Sequence, residues 1–452
     1  MRFIRLTRSY IITILGILTP GISIHAQEAQ QKTEVASLSH FISTGLKNNY
    51  GLKIVRNEEH MAENSATRAN AGYLPTITTS AGYDGSAYNR NTTARETGGT
   101  TKNRNTFDHT LSAGLNAEWT VFDGFKIQTN YKRLQELRRQ SATQTRIAIE
   151  DYIADLTAEY YNFIQQHIRM KNLNHAVALS KERLRIVLER YSIGSASRLD
   201  MQQAQVDFNA DSARSLKQHE LLASSRIRLY SLMAVKDLES RIAVRDTAIN
   251  VNTGLAFDSL WNTTLRTNAS LIRAAQNKTL AELDLKSIRS RDFPYVKLGA
   301  GYNYSHNIYG TGSTKTRDNW GADFGVKIGL NIFDGSRRSE RANARINIEN
   351  AELERLNLEQ SLKASLADLW QAYQNNLQLL ALERQNLLTA QENHYIAYER
   401  YMLGDLSGIE MREAQQSLLD TEERILEAEY NTKLCEISLR QLSGSITVYL
   451  EE

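Results

Sequence analysis

The sequence of 452 residues predicts an α+β membrane protein that is built as an internal duplication. Three observations lead to this prediction. Short motifs recur in the same order about 210 to 219 residues apart, glycine-rich segments alternate apolar and polar residues, and two segments of about 67 residues show helical periodicity without proline or interior glycine. Solenoid repeats have periods of roughly 20–50 residues, so a repeat of this length is a duplicated module.

Four pairs of motifs define the duplication. In chain order they are Leu46-x-x-Asn49-x-x-Leu52 with Leu265-x-x-Asn268-x-x-Leu271, Leu74-Pro75 with Phe293-Pro294, Phe122-Asp123-Gly124 with Phe333-Asp334-Gly335, and Tyr191-x-x-Gly194-x-x-Ser197-x-x-Asp200 with Tyr401-x-x-Gly404-x-x-Ser407-x-x-Glu410. Because the order is kept, we assign a first repeat to 27–236 and a second repeat to 237–452.

The first 26 residues resemble a secretory signal peptide. Arg2, Arg5 and Arg8 precede an apolar run over 10–24, and Ala26 supplies the small residue at the expected cut. The run is short and wrongly flanked for a spanning helix, although a membrane anchor is the alternative. Removal of 1–26 leaves 51 basic and 51 acidic residues, because 54 basic residues lose these three arginines. The balanced charge gives no case for nucleic acid binding.

Four segments alternate apolar and polar residues with a period of two: 76–88, 110–121, 295–305 and 320–333. These strands are near the length that crosses a membrane and longer than the usual soluble strand of about 5–6 residues. Glycine recurs on the polar face, which suits a lumen. The pattern favours a membrane β-barrel over its alternative, a half-buried sheet in a soluble domain.

Four strands cannot close a barrel, because about eight is the smallest number that does so. Open sheet edges are not tolerated in lipid. Several chains must therefore share one barrel, and we expect an obligate oligomer. The polar segments 88–109 and 306–318 between the paired strands are predicted to be exposed loops.

The long helical segments run from Gly124 to about Tyr191 and from Gly335 to Leu403, a length of about 100 Å each. Helices of this length cannot bury their apolar stripes alone and indicate an antiparallel coiled coil. We expect each to turn back near 194 or 404, with return helices to about 235 and about 443.

Each strand pair is predicted to be preceded by a further helix, over 31–72 in the first repeat and over 255–292 in the second. At the strand-to-helix junctions, Asp123 and Gly124 in the first repeat correspond to Asp334 and Gly335 in the second. Both aspartates stand where a helix N-cap is expected.

No motif points to catalysis. The nine histidines form no ligand arrangement with nearby carboxylates, and no phosphate-binding loop lies between a strand and a helix. We therefore expect no enzyme activity, no metal and no cofactor. Any energy for transport must come from a partner.

The ordered duplication resembles the TolC family of outer-membrane channel proteins over essentially the whole mature chain. Asn48-Asn49, Ala158-Glu159-Tyr160-Tyr161 and the repeated motifs above match its pattern. The resemblance implies a homotrimer in outer-membrane lipid, with a twelve-stranded β-barrel, four strands per chain, continued by a long antiparallel α-helical coiled-coil barrel in the periplasm. It also implies a periplasmic adaptor (membrane fusion) protein and an inner-membrane pump of RND, ABC or MFS type. The tips that would dock the adaptor carry Gly194, Ser197, Gly404 and Ser407.

The resemblance also implies a periplasmic gate. Glu410 and Glu413 match the acidic positions that ring the narrow end of the tunnel, and their i, i+3 spacing places them on one helix face. Three copies would supply six carboxylates, which favour cations. Outside that context, a solvated helix face is the alternative. Tyr401 and Asp200 match a closing contact between neighbouring tips.

One position departs from the family pattern at the second turn. Leu406 stands where a basic residue is common, which alters the closing network. The sequence therefore predicts neither a closed nor a leaky resting state of the gate. Arg198 and Arg412 are candidate substitutes.

The leading functional prediction is a passive exit duct of a tripartite efflux or secretion system. Two alternatives are a periplasmic coiled-coil structural or adhesive protein without a pore, and a general diffusion porin. The long helices argue against a porin, and the alternating strands argue against a scaffold. Histidine and methionine are not clustered, so a heavy-metal subtype gains no support, and the sequence favours neither drug efflux nor protein secretion.

Overall fold

The computed structural model describes residues 35–238 and 243–451. The predicted signal peptide over 1–26 lies outside the described residues. The chain is mostly helical and carries one four-stranded sheet. Within the described ranges, no helix combines the length and the apolar character that a membrane crossing needs.

The elements follow one another in the same order in both halves, apart from the short α3 in the first and a terminal 3₁₀ helix in the second. The first half contains β1 (Val35–Ala36), α1 (Leu38–Asn48), α2 (Tyr50–Ser65), α3 (Arg68–Ala71), β2 (Thr76–Thr93), β3 (Thr100–Asp123), α4 (Lys126–Ser192) and α5 (Arg198–Leu232). The second half contains β4 (Ala243–Val244), α6 (Phe257–Thr267), α7 (Ala269–Ser290), β5 (Tyr295–Ile308), β6 (Thr316–Gly329), α8 (Arg337–Leu403), α9 (Gly408–Leu442) and a terminal 3₁₀ helix (Ile446–Leu450).

The sheet is antiparallel with the strand order β2-β3-β5-β6, so one hairpin from each repeat meets at the β3–β5 pair. The register aligns Leu115 with Tyr302 and Tyr302 with Ala322, which places the predicted apolar faces on one side of the sheet. β2 and β6 are its two edge strands.

The strand bounds differ from the prediction at the end of the last strand and in both connections between paired strands. The last strand ends at Gly329 rather than at 333, because Gly329 pairs with Tyr295, the first residue of β5, and Pro294 before it cannot extend the ladder. The predicted loop over 88–109 is instead mostly strand. A register shift after Tyr88 lets the β2–β3 ladder continue to the Thr93–Thr100 pair, which leaves a turn over 94–99. Likewise, the loop between β5 and β6 shrinks to 309–315.

The long helices agree closely with the sequence analysis. α4 and α8 have 67 residues each, and their return partners α5 and α9 have 35 residues each. α4 packs along α5 and α8 along α9, so each repeat contributes one antiparallel hairpin.

The helix predicted before each strand pair is interrupted at an asparagine, and in the first repeat a second break separates α2 from α3. Asn49 Oδ1 accepts from the Leu52 N–H (3.1 Å), and its Nδ2 donates to the Leu232 carbonyl at the end of α5 (2.9 Å). Asn268 repeats both contacts with Leu271 (3.0 Å) and Leu442 (2.8 Å). The repeated Leu-x-x-Asn-x-x-Leu motif is thus a helix cap that also fastens the return helix.

The junction aspartates lie before the helices rather than at their N-caps. The Ile127 N–H donates to Asp123 Oδ1 (3.0 Å), while the residue before α4 is Phe125. The Ser336 N–H donates to Asp334 Oδ1 (3.1 Å), and α8 begins one residue later. Each carboxylate therefore stabilises a tight turn that leads into the helix.

The main core lies near the middle of the long helices. Buried residues of α1, α4, α5 and α9 and of the 3₁₀ helix pack together there, among them Phe41, Ile153, Tyr160, Tyr230 and Tyr449. β1 and β4 form a two-stranded parallel sheet beside it. The two repeats are thereby joined at one level, and the long hairpins extend away from it towards their turns.

Candidate functional site

The two helical turns share one backbone conformation. Gly194 and Gly404 have φ values of +79° and +86°, a left-handed region that favours glycine. Beyond each glycine, one N–H returns to the preceding helix, from Ser195 to the Arg190 carbonyl (2.8 Å) and from Asp405 to the Arg400 carbonyl (3.0 Å). This is a Schellman-type ending, which satisfies the last carbonyls of α4 and α8.

Each return helix begins with a capping box. Asp200 and Glu410 are the third residues of α5 and α9, and each accepts from the backbone and the hydroxyl of the cap serine. For Glu410, the distances from Oε2 to Ser407 N and Oγ are 3.0 and 2.7 Å. Hydrogen bonds from Ser407 hold the pKa of Glu410 below its ordinary value, and those from Ser197 do the same for Asp200. Both carboxylates are therefore part of the helix ends.

The predicted gate carboxylates share the exposed face of α9. Glu410 and Glu413 are exposed, whereas Met411 between them and Ala414 directly after them are buried against the neighbouring helices. Asp420 continues the same face. The sequence analysis missed Asp420, although its spacing of seven residues from Glu413 is the signal that would have found it.

Tyr401 and Asp200 approach one cavity without a hydrogen bond between them. Tyr401 is 3% exposed, and its hydroxyl has no hydrogen-bond partner among the described residues. Burial raises the pKa of Tyr401. The cavity of about 250 Å³ lies between the two turns, and its lining includes Arg183, Arg190, Asp200, Asp207, Tyr401 and Leu406.

The basic residue that reaches the second turn is Arg190 of the first hairpin. Its Nη2 donates to the carbonyls of Tyr401 (2.8 Å) and Met402 (3.2 Å), and its guanidinium lies 4.9 Å from the centre of the Tyr401 ring. These carbonyls belong to the end of α8, where a cation is favoured by the helix dipole. The sequence analysis assigned no role to Arg190, because a contact between the two repeats leaves no local signal.

The two candidate substitutes for a basic residue at Leu406 have different surroundings. Arg412 donates to both carboxylate oxygens of Asp211 (2.7 and 2.9 Å), so it is committed to α5. Arg198 is exposed at the start of α5. Leu406 itself packs against the apolar cluster that contains Tyr401 and Met411.

Over the residues that the structure describes, no group of three or more histidine, cysteine, aspartate or glutamate side chains is placed to hold a metal ion. The polar groups at the turns instead form caps and ion pairs. The arrangement can position helix ends and present carboxylates on the exposed face of α9.

Comparisons with known proteins agree on one family. The family model described as outer membrane efflux protein matches residues 41–235 and 260–445. Outer membrane protein TolC of Vibrio cholerae is 21% identical over 428 residues, which cover 91% of each chain. A membrane protein from Pseudomonas aeruginosa has a TM-score of 0.73 at 16% identity, covering 91% of both chains. The Campylobacter jejuni CmeC outer membrane channel has a TM-score of 0.68 at 16% identity, covering 96% of this chain and 94% of that one.

The family match extends over both repeats, and the similar structures cover the sheet and the helices together. The predicted resemblance is therefore confirmed. The chain belongs to the outer membrane efflux protein family and serves as an exit duct in the outer membrane.

Proposed function

We propose that three copies of this chain close one twelve-stranded barrel and one helical tunnel, which together form a passive duct from a pump to the exterior. The observation that carries this proposal is the four-stranded sheet, in which the outer edges of β2 and β6 pair with no other strand among the described residues. Its apolar face is exposed, including Ile77, Leu115, Trp320, Phe324 and Ile328. Such a sheet suits lipid on one face, and lipid requires that both edges be paired.

Strand number supports three copies. Two chains would give eight strands, and a barrel of that size has an interior that is just filled by side chains. The polar face here carries several glycines, and Gly299, Gly321 and Gly325 have open space where a side chain would lie. Twelve strands leave a lumen that fits this face.

The long helices also need neighbours. Leu188, Val206, Leu216, Leu353 and Leu388 are exposed along the hairpins of the single chain. Apolar stripes of this length are typical of surfaces that pack against other helices. Four long helices from each of three chains would bury these stripes around a central tunnel.

The two repeats, 27–236 and 237–452, each contribute one strand pair and one hairpin to this assembly. Equal helix lengths in the two copies support this division, because α4 matches α8 and α5 matches α9. Both turns then reach the same level, as a tunnel end requires.

The turns would form the gated end. Glu410 and Glu413 from three chains would line the constriction, and Tyr401 and Asp200 would take part in closing it. The exposed tips at Gly194, Ser197, Gly404 and Ser407 would receive a periplasmic adaptor, and an inner-membrane pump would supply the energy. The chain itself would catalyse no reaction.

The oligomeric state of the detergent-purified protein tests the shared barrel. Light scattering after size exclusion should give a protein mass of about three mature chains. Loss of the chain from cells should raise sensitivity to toxic compounds or reduce secretion. A monomer in the non-membrane fraction would contradict the proposal and favour the coiled-coil scaffold.

A further inference from the structure

The β2–β3 hairpin is longer than its neighbour. β2 and β3 have 18 and 24 residues, whereas β5 and β6 have 14 each. β5 pairs with β3 no further than His109. Residues 89–106 therefore form a two-stranded extension beyond the four-stranded sheet, which we call the outer hairpin.

The outer hairpin is strongly basic. It contains four basic residues and one acid, Glu96, which gives a net charge of +3; the basic residues are Arg90, Arg95, Lys102 and Arg104. The adjacent segment 309–317 adds Lys315 and Arg317 and contains no acid. Over 27–452 as a whole, basic and acidic residues balance, so positive charge is concentrated at this end of the sheet.

Three of these cations are available to a ligand. Arg95, Lys102 and Arg104 are exposed, and none of them forms an ion pair with another residue that the structure describes. Arg90 instead lies 4.5 Å from the centre of the Tyr88 ring. Threonine and asparagine occupy most of the other positions and offer further hydrogen-bond donors.

Aromatic residues place the base of the outer hairpin near the level of lipid headgroups. On the apolar face, Tyr304 pairs with Trp320 on one side and with Ala113 of β3 on the other. Tyr83 pairs with Leu111, which lies two residues closer to the outer hairpin than Ala113. Tyrosine and tryptophan are enriched at membrane–water interfaces. The cations of the outer hairpin lie beyond this level, away from the helices.

We propose that the outer hairpin binds the phosphate groups of anionic glycolipids in the outer leaflet. Arginine and lysine form charge-assisted hydrogen bonds with phosphate oxygens, and clustered cations near a membrane surface attract anionic headgroups. This inference rests on the proposed function for the placement of the sheet in the membrane. Three copies of the hairpin would ring the outer mouth and anchor it in the leaflet.

The test titrates phosphorylated lipid A into the purified protein in neutral detergent and compares it with the dephosphorylated lipid. Binding is measured by native mass spectrometry and by the shift in melting temperature. The variant Arg95→Gln/Lys102→Gln/Arg104→Gln should weaken binding by at least about tenfold. The matched control Lys171→Gln/Lys181→Gln/Lys217→Gln removes three exposed lysines from α4 and α5 and should bind as the wild type does.

Several results would overturn the inference: equal binding of the two lipids, wild-type affinity in the hairpin variant, or displacement of the lipid by millimolar inorganic phosphate, which would indicate a site for the free ion. Because the variant leaves the helical tunnel and its turns unchanged, it should still insert into planar bilayers and conduct. Failure to conduct in both proteins, with phosphate-dependent binding retained, would contradict the duct and not the lipid site.

Discussion

The two helical turns have the same backbone but differ in what their side chains hold. Both use a left-handed glycine and a serine capping box. Tyr191 at the first turn is 42% exposed, whereas its counterpart Tyr401 is 3% exposed. Arg190 reaches across to the second turn, whereas Arg400 pairs with Asp405 in its own turn (2.9 Å). The duplication thus preserved the residues that set the chain direction, while the side chains diverged so that the first hairpin holds the second.

The strand-to-helix junctions differ in a similar way. Gly124 has φ +70°, and a Cβ there would meet the Ser290 carbonyl and lie 2.8 Å from the Phe293 side chain. Gly335 has no such conformation, and the nearest atom to its Cβ would be 3.8 Å away, on Phe333. In the same Phe-Asp-Gly sequence, glycine is therefore required at 124, whereas a side chain can be accommodated at 335.

The largest expected effect tests this junction. Gly124→Ala should destabilise the protein by about 3 kcal/mol or more, because it combines left-handed strain with a backbone clash. The matched change Gly335→Ala should have little effect. Thermal unfolding of the two purified variants measures the difference, and equal melting temperatures would show that the two junctions are equivalent.

The asparagine caps should behave alike. Asn49→Ala and Asn268→Ala each remove a helix cap and a bond to a return-helix carbonyl, so each should lower stability by about 2 kcal/mol. Denaturant unfolding checks both variants. If only one of the two variants lost stability, the two caps would have the same geometry but different contributions to the free energy of unfolding.

Loss of the Arg190 contact between the repeats should cost less stability than loss of an asparagine cap, but it should change the second turn more. Arg190→Gln removes two hydrogen bonds to α8 carbonyls and should cost about 1 kcal/mol. It should also free the second turn, which limited proteolysis over 402–407 would detect. Arg400→Gln, which breaks an exposed pair within one turn, serves as the control. Equal protection in the two variants would refute the role of Arg190.

The smallest effect is a pH dependence of the capping boxes. Asp200 and Glu410 have lowered pKa values, so their stabilisation is fully present above about pH 4.5 and is lost as the pH falls through the lowered values. Asp200→Asn and Glu410→Gln should therefore reduce stability at neutral pH and match the wild type in strong acid. Circular dichroism during acid titration measures this, and a difference that grows as the pH falls would contradict the assignment.

Local patterns predicted much of the fold. The alternation of apolar and polar residues predicted all four strands. The absence of proline and interior glycine predicted both helices of 67 residues. The errors arose where pairing partners decide the outcome. β6 ended early because β5 begins after Pro294, and the outer hairpin extended because its two strands continue to pair with each other.

The site was harder to predict for a related reason. Glycine and capping-box motifs are local, so both turns were placed correctly. Arg190 contacts Tyr401 and Met402, which are separated from it by 211 and 212 positions in the sequence. Tyr401 is buried against the first hairpin. Contacts between distant segments depend on how the helices pack together, which the spacing of residues within a local motif does not predict.

Planar-bilayer conductance of the purified protein tests the central claim of a gated duct most directly. The variant Glu410→Gln/Glu413→Gln removes the proposed gate charges, and glutamine at 410 still offers an acceptor to the Ser407 N–H, so the helix end should form with only the small loss of stability predicted above. Glu349→Gln/Glu354→Gln, which removes two exposed charges of α8, is the matched control. We predict a small cation-selective conductance that loses its selectivity in the gate variant alone. A large conductance unaffected by the gate variant, or no insertion of folded protein, would contradict the account.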